Sequence, residues 1–141
     1  MSTYRLDHFF EPRSIAVVGA STRPTSVGAA TIRNLRDGGF AGPIHVINRK
    51  YPEIEGIRTV GAFTDLPSTP DLTIICTPPS AVPGVVERAA AHGCPAAMIL
   101  TAGLGQGAGS YSDAVAKTAR KTGLRLLGPS LGIMVPRMKL N

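Results

Sequence analysis

Five short apolar runs recur along this chain with helical stretches between most of them. They are Ser14–Ala20, Pro43–Asn48, Asp71–Thr77, Ala96–Ala102 and Leu124–Gly128. Each is rich in β-branched or aliphatic residues and shows little polar alternation. A strand wet on one face alternates polar with apolar residues, whereas a strand covered on both faces need not. Between the runs the period changes to that of a helix. Val82, Val85, Val86, Ala89 and Ala90 form one apolar stripe, with Ser80 expected to cap it and Gly93 to end it. Pro83 is tolerated there because it falls in the first turn. An earlier helix is expected from about Val27 to Asp37, with Gly28, Ile32 and Leu35 inward and Gly38–Gly39 after it. A later one starts at Ser110-x-x-Asp113, a capping-box-like pattern. It is expected to turn Tyr111, Ala114, Val115, Thr118 and Ala119 inward and to stop near Gly123. Strand, helix and strand repeated in this way require right-handed crossovers. The expected class is therefore α/β: a three-layer, Rossmann-like, doubly wound and mainly parallel sheet with helices on both faces. The segment from Tyr51 to Pro70 breaks the rhythm. "IRTV" (Ile57–Val60) is expected as an edge strand, and "DLPSTPD" as turn with at most one helical turn.

The chain's 141 residues suit one domain with one core. No apolar run approaches the ~20 residues needed to span a bilayer, so no membrane partner is expected. The N-terminus lacks an apolar core followed by a small-residue cleavage site, so no secretory signal is expected. Two cysteines, Cys76 and Cys94, are expected at opposite ends of the sheet, too far apart to bridge, and so to be reduced thiols of a cytoplasmic protein. The formal net charge of +6 favours an anionic partner. There is no run of five basic residues, and the aromatics are only three tyrosines and four phenylalanines. Single-stranded nucleic acid needs aromatic platforms beside basic residues, so the charge fits a small polyanion about as well as a nucleic acid; the partner expected on the whole pattern is a small polyanion and no nucleic acid.

Open parallel sheets bind ligands beyond the carboxyl ends of their strands. Four of the five ends carry small or turn-forming residues: Gly19-Ala20-Ser21, Asn48-Arg49-Lys50, Thr77-Pro78-Pro79 and Thr101-Ala102-Gly103. Gly19 permits a tight turn and Gly28 permits close helix packing. The helix beginning near Val27 aims free N–H groups and its positive dipole end at the same place. That arrangement suits a phosphate. A dinucleotide fingerprint reads G-x-G-x-x-G, but here Ser21 replaces the second glycine. Eight residues separate Gly19 from Gly28, and Arg23 lies within this longer loop. An NAD site expects an acidic residue after the second strand; this chain has Asn48-Arg49-Lys50. Two cations there suit a phosphorylated adenosine ribose, as in NADP or in coenzyme A.

The ordered motifs "FFEPRSIAVVGAST", "NLRDGGFAGPIHVINRK", "EGIRTVGAFTDLPSTPDLTIICTPPSAVP", "MILTAG" and "LRLLGPSLGI" extend the pattern over nearly the whole chain. Together they resemble the N-terminal CoA-binding domain of NDP-forming acyl-CoA synthetases. That fold is shared with the alpha subunit of succinyl-CoA synthetase. It also occurs in protein acetyltransferases that join a ligase-like region to a GNAT domain. The resemblance implies that Gly19, Ala20, Ser21 and Arg23, with the loop to Val27 and Gly28, face the phosphates of CoA. It places Lys50 on the nucleotide phosphates and Asn48 at that corner. Thr77, Pro78 and Pro79 line the adenosine and pantetheine path, with Val82 behind them. Thr101, Ala102 and Gly103 border the route of the thiol. Two departures stand out. Gln106 occupies the position of a family glutamate, and "GPSLG" (Gly128–Gly132) carries Ser130 in place of an asparagine and is one residue short. These leave the coenzyme motifs intact and weaken a phosphoryl-transfer role.

The histidines carry no catalytic pattern. His8 lies in the N-terminal arm, His45 inside a strand and His92 at a helix end, with no triad order and no metal-ligand spacing. No catalytic or metal residue is assigned. The expectation is a CoA-binding domain over residues 6–141 that presents CoA, or binds acyl-CoA, beside further domains or subunits of a longer ligase-like protein. The final "GIMVPRMKLN" has no stop signal and fits that expectation. The alternatives are an NADP-dependent oxidoreductase domain and a non-catalytic CoA-sensing module of an acyltransferase.

Overall fold

The computed structural model of the chain describes residues 2–130 and 139. In order the elements are α1 (Asp7–Phe10), β1 (Ile15–Val18), α2 (Val27–Asp37), β2 (Ile44–Ile47), β3 (Glu53–Ile54) and β4 (Ile57–Val60). They continue with β5 (Leu72–Ile75), α3 (Val82–Ala91), β6 (Ala96–Ile99), α4 (Tyr111–Thr122) and β7 (Arg125–Leu127). The strands form one sheet in the order β3-β4-β2-β1-β5-β6-β7. Every neighbouring pair is parallel except β3 with β4. The five expected strands are all present, and the three-layer doubly wound architecture holds. No helix among the described residues is long and apolar enough to cross a membrane.

The two-residue period of a strand explains the continuous apolar runs. Ile15 and Val17 of β1 join Val46, Leu72, Ile74 and Met98 in a core with Ile32 and Leu35 of α2 and Phe9 of α1. Ala16 and Val18 face the other way, with Ile47, Ile75, Ala97 and Ile99, against Val82, Val85, Val86 and Ala89 of α3 and Val115 of α4. Successive side chains feed opposite cores, so β1, β5 and β6 are buried at every position. The chain winds toward β2 and β4 through α2. It then returns to the other side of β1 through β5, and α3 covers the opposite face. Strand order reverses between β1 and β5, which opens a crevice at their carboxyl ends.

Three local expectations need correction. Ile57–Val60 is a strand, but it is not the edge: it pairs in parallel with β2 through Val46↔Thr59 and Ile47↔Val60. The edge is β3, which closes a hairpin with β4 through Glu55 and Gly56, at φ +50 and +77. Two positive φ values in a two-residue turn match the twist of a hairpin, but a two-residue strand is too short to show a period. Second, Ser80 does not cap α3. It lies in a 3₁₀ turn over Pro79–Ala81, and the N-cap is Ala81, without a side-chain bond. That turn and Pro83, which has no N–H, leave little for a serine to cap. Third, Tyr111 is 42% exposed rather than inward. It is the first helical residue after Ser110, and of the α4 residues only Val115 is buried. The cap itself forms, with Ser110 Oγ accepting from the Asp113 N–H at 3.1 Å. The Asp113 carboxylate accepts from the Gly109 N–H at 3.1 Å instead of closing the box on Ser110.

α2 spans Val27–Asp37, with Gly28, Ile32 and Leu35 buried. The two cysteines are free thiols, Cys76 half-buried after β5 and Cys94 buried before β6. His45 is half-buried in β2, and His92 is the C-cap of α3 beside the Phe63 ring. Ser130 sits at φ +55. Leu131, Gly132 and the tail, apart from Lys139, lie outside the described residues.

Candidate functional site

The carboxyl ends of β1, β2, β5 and β6 meet around one cleft of about 960 Å³. Gly19, Ala20, Ser21, Arg23, Val27 and Gly28 line it from the first loop, and Asn48 and Lys50 from the second. Thr77 and Pro78 line it from the third, and Thr101 and Ala102 from the fourth. Pro79, Val82 and Gly103 lie off its wall. Pro79 is held in the 3₁₀ turn. Val82 is fully buried, because its place on the α3 stripe points it into the core beneath. Gly103 adjoins Pro79: a Cβ there would lie 3.7 Å from the Pro79 ring.

The glycines shape the cleft by close approach. Gly19 has φ +90, and a Cβ on it would sit 2.5 Å from the Thr77 backbone nitrogen. The turns after β1 and β5 are therefore back to back. A Cβ on Gly28 would sit 2.5 Å from Ala20 Cα. The first turn of α2 thus rests directly on the β1 turn, which brings its unpaired N–H groups to the cleft. Ser26 caps α2, its Oγ accepting from the Ala29 N–H at 3.2 Å.

Asn48 joins two loops. Its Nδ2 donates to the Ala20 carbonyl at 2.8 Å, and its Oδ1 accepts from the N–H groups of Lys50 and Tyr51 at 2.7 and 3.0 Å. This bonding holds Lys50 at the cleft. The Lys50 ammonium lies 5.2 Å from the centroid of the Tyr51 ring. Hydrogen bonding to Lys50, and then to Thr22, holds the Tyr51 phenol below its ordinary 10.0. Thr101 Oγ1 donates to the Thr77 carbonyl at 2.7 Å and ties the third and fourth strand ends together.

Five further residues line the cleft: Thr25, Ser26, Tyr51, Cys76 and Leu100. Ser26 had a signal, a serine directly before an apolar helical period. Cys76 and Leu100 immediately precede turns already singled out, and Tyr51 follows Lys50. Arg49 points elsewhere. With Arg88 of α3 it borders a second cavity of about 300 Å³. That cavity is lined chiefly by apolar side chains, among them Val18, Ile47, Phe63 and Val85. Gly19, Asn48 and Thr77 line both spaces and form the ridge between them.

Cys76 faces the cleft as a neutral thiol. Burial pushes its pKa from 9.0 to about 12, against a weaker opposing hydrogen bond with Thr31. The thiolate is the nucleophile. Cys76 is therefore expected to react far more slowly with a disulfide reagent near neutral pH in the folded chain than after unfolding. The linkage has a definite sign. Its pKa is higher folded than unfolded, so its stabilising contribution is complete below about 9 and is lost as pH rises toward 12. Equal rates of modification with and without urea would show that the thiol is not shielded.

The description "CoA binding domain" belongs to the family that matches this chain over residues 13–136. An ADP-forming acetate–CoA ligase of Methanocaldococcus jannaschii is 37% identical over 141 aligned residues, covering 98% of this chain and 20% of the relative. The alpha subunit of ADP-forming acetate–CoA ligase I of Pyrococcus furiosus is 33% identical, covering 96% and 31%. Among solved structures, dinucleotide-forming acetyl-coenzyme A synthetase 1 of Ca. Korarchaeum cryptofilum, in complex with phosphate and ADP, superposes with a TM-score of 0.89. It is 32% identical and is covered to 30%, against 96% of this chain. The chain thus spans roughly a fifth to a third of the length of these relatives.

Proposed function

The chain belongs to the CoA-binding-domain family, and on that premise we propose that its cleft holds coenzyme A for an acyl-CoA synthetase-like protein. One observation carries the reading: a single cleft joins a helix N-terminus, a lysine and four strand ends, and an apolar cavity adjoins it across one ridge. The diphosphate of CoA lies against the loop from Gly19 to Gly28, where the α2 N–H groups and Arg23 converge. The phosphorylated ribose lies at Asn48 and Lys50. The smaller cavity beyond the ridge accepts the adenine, whose flat apolar faces suit Val18, Ile47 and Val85. Pantetheine runs the other way, past Thr77 and Pro78 toward Thr101 and Ala102.

The larger protein of this proposal is an ADP-forming acyl-CoA ligase, with residues 6–141 as its CoA-binding domain. None of His8, His45 and His92 lines the cleft. The part of this chain in thioester formation is therefore to bind CoA and aim its thiol, while other domains or subunits complete the active site. Calorimetric titration of the chain with CoA, dephospho-CoA and NADP tests the reading. CoA should bind tightest, and dephospho-CoA should bind about tenfold to a hundredfold more weakly, as expected on losing a charge-assisted contact. Equal affinity for CoA and dephospho-CoA would remove the ribose phosphate from the Lys50 corner. Tighter binding of NADP would replace the reading with a nicotinamide site.

A further inference from the structure

The loop between Gly19 and Gly28 is held by a side chain that does not line the cleft. Arg33, on α2, uses both terminal nitrogens of its guanidinium. Nη2 donates to the Pro24 carbonyl at 2.6 Å, and Nη1 donates to the Glu55 carboxylate at 2.8 Å. Glu55 belongs to the tight turn between β3 and β4 and is only 19% exposed. Arg36 fixes the same turn, donating through Nη1 to the Glu55 carbonyl at 2.5 Å, with Nη2 at 3.8 Å from its carboxylate. The hairpin is thus pinned to α2, and the pinned carboxylate orients one end of the Arg33 fork. The other end reaches the loop. Within the loop itself the bonds are few: the Arg23 N–H donates to Ser21 Oγ at 3.3 Å and the Ser26 N–H to the Arg23 carbonyl at 3.0 Å. Ser21, Arg23, Thr25 and Ser26 all line the cleft.

We propose that Arg33 is a positioning residue, anchored by Glu55, that keeps the loop over residues 21–26 in its ligand-receiving shape before any ligand arrives. The inference rests on the coenzyme A reading for the identity of that ligand. Its physical content is preorganisation. A loop ordered in the free chain has no backbone entropy left to lose on binding, whereas a loose loop loses it then. A guanidinium suits the task because its planar fork serves two acceptors at fixed separation, which an ammonium does not.

Arg33→Gln and Arg33→Lys test it together, by calorimetry with CoA and by amide hydrogen exchange of the free chain. Both variants should raise the CoA dissociation constant about tenfold, equivalent to ordering roughly one more loop residue on binding. Amides of residues 21–26 that are not prolines should exchange faster, while those of β1 and β5 keep their protection. The effect of Arg23→Ala on affinity should shrink in the Arg33→Gln background, since the loop no longer presents Arg23. Recovery of wild-type affinity by Arg33→Lys would assign the effect to charge alone and overturn the proposal. So would unchanged exchange in the loop, or an equal rise in β1 and β5. If the unaltered chain binds no CoA, the functional reading falls, and the exchange measurement still decides whether Arg33 holds the loop.

Discussion

Gly19→Ala is expected to remove about 2–4 kcal/mol of folding stability, through positive-φ strain and overpacking together. The residue sits at φ +90, and an added Cβ would meet the Thr77 nitrogen at 2.5 Å and its Cα at 2.7 Å. Backbone atoms of a central strand end cannot swing aside as a flexible side chain would. β5 must therefore shift, or the β1 turn must open. Either change also spoils the ridge between the two cavities, so CoA binding should weaken in the variant that still folds. Against a typical total of ~5–15 kcal/mol, the loss should be obvious in urea unfolding. Gly107→Ala is the control. Gly107 has φ +81, with nothing within 4 Å of an added Cβ. It carries the strain without the contact, and it should lose clearly less. Equal losses at the two positions would show that backbone strain alone accounts for Gly19.

Lys50→Ala is expected to weaken CoA binding by about tenfold to a hundredfold, the range of a charge-assisted hydrogen bond to phosphate. Stability should stay within about 0.5 kcal/mol, since an exposed side chain away from a packed feature has little to lose. Its loop remains in place because Asn48 holds the Lys50 and Tyr51 N–H groups, not the lysine side chain. Loss of affinity without loss of stability therefore separates a ligand contact from a structural one. Dephospho-CoA should bind the variant and the unaltered chain alike if Lys50 meets the ribose phosphate. An unchanged CoA dissociation constant at low salt would reduce Lys50 to a solvated cation.

Much of this architecture was legible because it is written in local periods. The continuous apolar runs demanded strands covered on two faces, and the two cores supply those faces. The bounds of α2 followed from an apolar stripe and the Gly38–Gly39 pair. The short edge strand β3 left no such mark: two residues have no period, and its pairing depends on β4 being held by β2. Ser80 illustrates a related limit. A serine before an apolar stripe signals a cap only if the chain enters the helix directly, and the 3₁₀ turn over Pro79–Ala81 intervenes.

The sequence by itself determined the five expected strands, the three long helices between them and the small residues at four strand ends, because these are written in local periods and turn-forming residues. Tertiary structure alone decided where the side chains at those ends point. Arg49 and Lys50 are adjacent in the bend after β2, yet one borders the small cavity and the other the cleft. Arg33 carried no signal in the sequence, and the role proposed for it rests on a glutamate 22 residues away brought alongside by the β3–β4 hairpin. Contacts of this kind depend on which distant segment lies opposite, and no local pattern encodes that.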